Sequence, residues 1–291
     1  MKRFRLFSLF LPLAFITLFS GLCGCDAPAE EKTLSPNVPV MTVSFLDVGQ
    51  GDSAFIRFPG GKTALIDAGE AKSADAVLAS IEESGTSKID YVIATHPHAD
   101  HIGGMRQVIE RFDIGEIYMP RVSHNSKTYE KLLLAIQDKG LSIHTARAGV
   151  TFEAEPGITV DFVAPCSEKY DEKNDYSAVV RLTYQQVSFL LTGDAETTSE
   201  NEMLQSGAEL SATVLKVGHH GSKTSSGTEF LKAVNPKWAV ISVGADNSYG
   251  HPHEQTLKRL EDLGVTVFRT DVNGTVTAVT DGENVEVKGE R

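Results

Sequence analysis

Three shortages bound what this chain of 291 residues can be. The first is positive charge: 27 Lys and Arg stand against 39 Asp and Glu, a formal net charge of −12. Tight, sequence-independent binding to a nucleic-acid backbone needs a basic excess, so the balance argues against that class. It does not exclude a nuclease, because bound metal ions and a local basic patch offset the global field. The second shortage is cysteine, present only as Cys23, Cys25 and Cys166. The third is a long apolar run. Leu6 to Phe19 is apolar with little interruption, but it falls short of the roughly 20 residues a membrane-spanning helix needs.

That short run follows Lys2, Arg3 and Arg5 and precedes small residues, so 1–24 reads as a secretory signal. Leu22-Cys23-Gly24-Cys25 resembles a bacterial lipobox, with Cys25 lipidated after cleavage; Cys23 stands where Ala or Ser is commoner. A chain starting at Cys25 loses three positive charges and moves from −12 to −15. Cys166 is then the one thiol left, which excludes an internal disulfide framework. No motif surrounds it, so a small part-buried residue is expected rather than a nucleophile. Residues 25–39, rich in Ala, Glu, Pro and Ser, read as a flexible lipid-anchored tether to the membrane, and 40–291 as one domain. The expected place is outside the cytoplasm, as a bacterial membrane lipoprotein or a secreted protein.

What the chain has in abundance is metal-type ligands. Thr95-His96-Pro97-His98-Ala99-Asp100-His101-Ile102-Gly103-Gly104 puts three histidines and an aspartate within six positions. Imidazole nitrogen and carboxylate oxygen are what zinc, manganese and iron accept. One histidine in a polar loop is ordinary; four such groups after the β-branched run Ile89 to Ala94 and before Gly-Gly point to a site. They leave the carboxyl end of a strand, where open α/β sheets place their chemistry.

The flanking sequence alternates between strand and helix signals. Strands are expected at 41–46, 53–58 and 63–66, the last ending in Asp67-Ala68-Gly69. A strand-end carboxylate one β–α unit before the histidines suits a group that holds ligands by hydrogen bonds, so Asp67 is assigned that role. Helices are expected at 74–83, 105–112 and 128–139, with strands at 116–119, 141–145, 150–152 and 158–163. His124 and His144 lack partners and read as surface or edge residues. A second half is expected from Ser167. Its strands 178–184 and 187–191 turn at Gln185-Gln186 and run into Thr192-Gly193-Asp194. A helix at 196–205 precedes a strand at 213–217, which delivers Gly218-His219-His220-Gly221-Ser222. Adjacent histidines point in different directions. One is expected to complete a metal site and the other to face substrate; His220 is placed as the ligand and His219 as catalytic, with the reverse open. Helices at 229–234 and 254–263 and strands at 238–243, 265–268, 275–280 and 284–287 close the chain, and two β-rich halves fit a pseudo-symmetric sandwich.

His-x-His-x-Asp-His resembles the signature of the metallo-β-lactamase superfamily. The resemblance implies an α/β fold, the αββα four-layer sandwich, and a two-metal hydrolase. It implies that His96 and His98 hold one divalent ion, Zn or Mn, Asp100 and His101 the other, and that Asp194 bridges them. Six stretches together resemble the metallo-β-lactamase-like domain of ComEC-type DNA-uptake proteins. These are Asp47 to Asp52, Leu65 to Gly69, Thr95 to Gly104, Leu190 to Asp194, Leu215 to Ser222 and Tyr249 to Pro252. Secreted phosphorylcholine esterases are related. The superfamily's usual third ligand is a His between the metal loop and the bridging Asp, where this chain offers Asn174-Asp175. The first metal is therefore expected to be weaker or more open, with Asn174 and Asp52 as supporting groups.

A metal-dependent phosphodiesterase or nuclease follows, its substrate DNA or a cell-wall phosphodiester. Asp100, His219 and His251 are the expected catalytic residues. His251, at a helix start, holds a phosphate oxygen or protonates the leaving group. Ser222, Lys223 and Thr224 are expected to touch substrate, and His253 to be a surface residue of the helix's first turn. The alternatives are a hydrolase of another ester, amide or lactone, such as cell-wall phosphorylcholine or a β-lactam, and a metal-free binding lipoprotein.

Overall fold

Alternation decides the layering. In Val187-Ser188-Phe189-Leu190-Leu191 every residue is buried. Val187, Phe189 and Leu191 face a core between two sheets, while Leu190 faces a second core under helices. A strand apolar on both faces must be covered on both, which is the reason for helices outside each sheet.

The computed structural model describes residues 1, 34–35 and 38–291. The expected signal, Cys25 and most of the tether lie outside the described residues. Thr33–Arg291 forms one unit. In chain order it contains β1 (Met41–Phe45), β2 (Ala54–Arg57), β3 (Thr63–Ile66), α1 (Ala74–Glu83), β4 (Lys88–Ile93), the short α2 (Ala99–Ile102), α3 (Met105–Arg111), β5 (Asp113–Met119), α4 (Lys127–Asp138) and β6 (Ile143–Thr145). There follow β7 (Thr151–Glu155), β8 (Ile158–Ala164), β9 (Val179–Tyr184), β10 (Val187–Leu191), α5 (Thr197–Ser206), β11 (Val214–Lys216), α6 (Thr228–Val234), β12 (Trp238–Ile241), α7 (Glu254–Asp262) and β13 (Thr266–Arg269). The chain ends with α8 (Thr270–Asn273), β14 (Val276–Thr280) and β15 (Val285–Gly289).

Two sheets result, of eight strands in the order β15-β14-β1-β2-β3-β4-β5-β6 and seven in the order β13-β12-β11-β10-β9-β8-β7. One core lies between the sheets. A second joins the first sheet to α1, α3 and α4, and a third joins the second sheet to α5, α6 and α7. This is the expected αββα sandwich. Each fully buried side chain of the size of Phe45, Phe162 or Phe189 contributes about 1.5–3 kcal/mol. The strands from β3 to β6 are parallel, as are those from β10 to β13. Their carboxyl ends carry the site.

The division into halves differs from expectation. The second sheet starts at Thr151 rather than after Ser167, and the last hairpin returns to the first sheet, where Phe45 pairs with Val276. That return covers the open edge of β1 and adds Val276, Ala278 and Val285 to the inter-sheet core. Cys166 is exposed, not part-buried. Among the described residues no helix is long and apolar enough to cross a membrane.

Candidate metal centre

Four strand ends converge: Asp67 after β3, Thr95 to His101 after β4, Asp194 after β10 and Gly218 to His220 after β11. Asp67 organises the first loop. Its Oδ1 accepts from Thr95 N at 2.8 Å, and its Oδ2 accepts from Thr95 Oγ1 at 2.6 Å and His101 Nδ1 at 2.7 Å. The preceding turn closes on the same loop, with Asp52 N donating to Asp100 O at 3.1 Å. A Cβ at Gly51 would lie 2.3 Å from that carbonyl, and its φ is +142°, so the contact admits only glycine. Asp67, His219 and His220 all hold left-handed φ, at 58°, 46° and 53°. Such strain costs on the order of 1–3 kcal/mol per residue and persists where surrounding packing enforces it.

Ligand atoms gather into two groups that share Asp194. Asp100, His101, Asp194 and His220 form one, His96, His98 and Asp194 the other, each with donor atoms within 4.8 Å of one another. Asp194 Oδ1 lies 3.2 Å from His101 Nε2 and 3.6 Å from His220 Nε2. Its Oδ2 lies 3.7 Å from His96 Nε2 and 3.7 Å from His219 Nε2. His96 Nε2 is 3.0 Å from His98 Nδ1, and His220 Nε2 is 3.3 Å from Asp100 Oδ2. Asp194 Oδ1, His101 Nε2 and His220 Nε2 are buried without a hydrogen-bond partner. Three buried polar atoms left unpaired at one point fit a cation, because each would otherwise bear its full desolvation cost. The donor set is nitrogen and oxygen without thiolate, which suits zinc or manganese.

The histidine pair is split by its backbone. His220 is buried, and its Nδ1 donates to Ser242 O at 2.9 Å. His219 Nδ1 lies 2.7 Å from Glu196 Oε1. Asn174 stays outside both ligand groups, its Nδ2 3.4 Å from His219 Nδ1. Asp175 accepts from Glu196 N and Ser199 N at 3.1 Å each, so it caps α5 instead of replacing the usual third ligand.

Behind His220 lies a buried ion pair. Lys216 Nζ is 2.8 Å from Asp52 Oδ2, and Asp52 Oδ1 is 3.3 Å from His220 Nδ1. Burial pushes the Asp52 carboxyl up, but Lys216 and His220 outweigh it and hold it at about 2. Burial also lowers the His220 ring, yet Asp194, Asp100 and Asp52 raise it to about 10. His101 is likewise raised by Asp194 and Asp67 against burial. For His96 burial prevails and its basicity falls.

His251 stands beside the pair, its ring centroid 5.3 Å from that of His219. Asn247 fixes its backbone, accepting from His251 N at 3.0 Å and donating to His251 O at 2.6 Å. Burial, then His219 and His220, lower it to about 4. Ser222 is buried with its hydroxyl 2.8 Å from that of Thr224, and Lys223 is exposed. Neither side chain joins the ligand groups. His253 precedes α7, and its Nδ1 accepts from Lys223 N at 3.1 Å. His124 is not a lone surface residue: it bonds Ser126 Oγ at 2.9 Å and its ring lies 6.0 Å from that of His98. His144 is exposed on the edge strand β6.

Two residues in contact with the centre, Glu196 and Lys216, are not singled out by the sequence pattern. Glu196 resembles an ordinary helix-start acid. Lys216 could have been found, since a lysine inside the apolar run Val214 to Val217 needs a buried partner.

Compared with known proteins, residues 46–245 match the Metallo-beta-lactamase superfamily. The ComE operon protein 3 of Bacillus subtilis is 32% identical over 80% of this chain and 32% of its own length. The competence protein ComA of Neisseria gonorrhoeae is 31% identical over 80% of this chain and 31% of its own length. The chain thus spans about a third of the length of these relatives. Among solved structures, CmlA, a diiron beta-hydroxylase from Streptomyces venezuelae, superposes with a TM-score of 0.53 at 14% identity, covering 79% of this chain and 52% of that one. That likeness is one of fold.

Proposed function

The chain belongs to the Metallo-beta-lactamase superfamily, and on that premise we propose that it is a two-metal phosphodiesterase acting on DNA or a cell-wall phosphodiester. The observation that carries the reading is the Asp194 carboxylate, whose Oδ1 serves His101 and His220 while Oδ2 serves His96. One carboxylate turned to two donor groups is the arrangement that offsets the repulsion of two close cations. His96, His98 and Asp194 would hold one ion, and Asp100, His101, Asp194 and His220 the other. Bound there, two divalent ions supply a Lewis acid for the phosphoryl oxygen and a water with a pKa lowered to about 7. The likeness to competence proteins favours a phosphodiester over a lactam.

The protein groups divide the remaining work. Glu196 takes the hydrogen bond of His219 Nδ1, which leaves Nε2 as an acceptor facing the centre. His219 can therefore take a proton from the attacking water, with Glu196 holding the ring. Asp100, partly open to solvent, lies 3.3 Å from His220 Nε2 and stays ionised as a ligand of the second ion. His251, turned toward His219, can hold a phosphate oxygen through a ring N–H.

The test is metal content by mass spectrometry beside hydrolysis of bis-p-nitrophenyl phosphate, single-stranded DNA, a phosphorylcholine ester and nitrocefin. Two ions per chain with phosphodiester turnover is expected. Nitrocefin turnover without phosphodiester turnover would overturn the reading. An anchored, extracytoplasmic place belongs to the same proposal, supported by the charged start, the short apolar run and Leu22-Cys23-Gly24-Cys25. Cys25→Ser should release the protein from membranes or block its maturation; a variant that fractionates like wild type removes the anchor.

A further inference from the structure

A cavity of about 390 Å³ opens beside the first ligand group. Its lining includes His124, Tyr129, Leu133, Leu134, the amides of Asn125 and Gln137, and the carboxylate of Glu130, which disfavours a phosphate inside the cavity itself. The His124 ring forms the border with the metal centre, its centroid 6.0 Å from that of His98 at an interplanar angle of 74°.

The walls are fixed before any ligand arrives. Tyr129 Oη donates to Val122 O at 2.8 Å, tying α4 to the loop before it. Ser126 N donates to His124 Nδ1 at 3.3 Å, which places the ring proton on Nε2 and leaves it free to donate. The His124 and Tyr129 rings meet edge to face, with centroids 6.4 Å apart. Leu134 is 48% exposed, so its apolar surface is open to a ligand in the cavity.

The chemistry of the lining selects the ligand. Two leucines and two aromatic rings offer flat apolar surface, which a phosphate cannot use. The amides of Asn125 and Gln137 each offer a donor and an acceptor, which an alkyl chain cannot use. A planar heteroaromatic ring with a polar edge uses both, and nucleic-acid bases are bound in this way by proteins that take single strands.

We propose that this cavity is a base-binding subsite, in which a nucleobase attached to the scissile phosphate packs against His124, Tyr129 and Leu134. The inference rests on the phosphodiesterase reading for the phosphate's place at the metals. It adds that the substrate is a nucleotide chain with at least one unpaired base, since a base inside a duplex cannot enter a side cavity.

Calorimetry on the metal-loaded full chain tests it with two probes that differ only by the base, thymidine 5′-monophosphate and 2-deoxyribose 5-phosphate. Wild type should bind the nucleotide about 10-fold more tightly, the size expected of one stacked base. Leu134→Glu, at an exposed position, should bring the ratio of the two affinities close to one, and His124→Ala should lower it. Equal affinity of wild type for both probes, or an unchanged ratio in both variants, overturns the subsite and leaves the phosphodiesterase reading standing. Failure of both probes to bind overturns both.

Discussion

Asp194 carries more of the centre's charge balance than any other single residue. It is buried, and it faces His96, His101, His219 and His220 within 3.7 Å. Asp194→Asn keeps the shape but removes the charge that two nearby cations need, so it should cost both ions. His96→Ala should mainly empty the first group and His101→Ala the second. Metal content by mass spectrometry should fall from wild type to either His variant to Asp194→Asn. Hydrolysis should drop in all three by more than the ~10–100-fold typical of groups that only support ligands. An Asp194→Asn protein with full metal and near-normal rate would remove the bridge. Much at this scale was legible in the sequence, because four ligand-type residues within six positions need no fold to bring them together. Asp67 and Asp194 were legible only from their order along the chain, since a strand-end aspartate is common. Glu196, Lys216 and the nearness of His124 to His98 were not legible, because each depends on a contact between residues far apart in sequence.

β11 helps to hold the centre through Lys216, buried at its end. Lys216 and Asp52 form an ion pair at 2.8 Å, and Lys216 Nζ also donates to Val217 O at 2.7 Å. Breaking a buried pair leaves one charge uncompensated, so Lys216→Met should destabilise by about 3–5 kcal/mol. Urea unfolding of the chelated protein at neutral pH measures this, and Lys216→Met with Asp52→Asn should cost less than the two single changes added together. The pH dependence has a definite sign. Asp52 is held below its ordinary value of 3.8, at about 2. Its contribution is present above 3.8 and is lost as pH falls through about 2. The gap between wild type and Lys216→Met should therefore be widest at neutral pH and narrow in acid; a constant gap would mean that the pair carries no charge-based stability. Most strands and helices were readable to within a few residues from alternation and periodicity. The sequence pattern predicts a loop where α2 stands, because its four residues are set by Asp67 and the Asp52 turn rather than by any pattern of their own.

At the scale of the whole molecule, the sandwich was legible by resemblance, and the strand patterns agreed with it. Which sheet each strand joins was not, since alternation reports a buried face but not a neighbour; hence the misplaced start of the second half and the unforeseen return of β14 to β1. Net charge is the whole-molecule property with a direct kinetic consequence. At −12 the field opposes a polyanionic strand, and two bound divalent ions would only reduce it to about −8. The Debye length shrinks from ~30 Å at 0.01 M salt to ~8 Å at 0.15 M. Repulsion from distant acidic groups is screened over that range, while the short contacts at the metals are not. kcat/KM for a single-stranded oligonucleotide should therefore rise with salt, by up to ~10-fold, where a basic nuclease would lose affinity. The small monoanion bis-p-nitrophenyl phosphate should change far less, because it carries one charge through the same field. Initial rates at low substrate across a monovalent-salt series, with metal content held fixed, measure both slopes. A steep fall for the oligonucleotide would mean that a local basic surface, not the net charge, governs the approach of substrate.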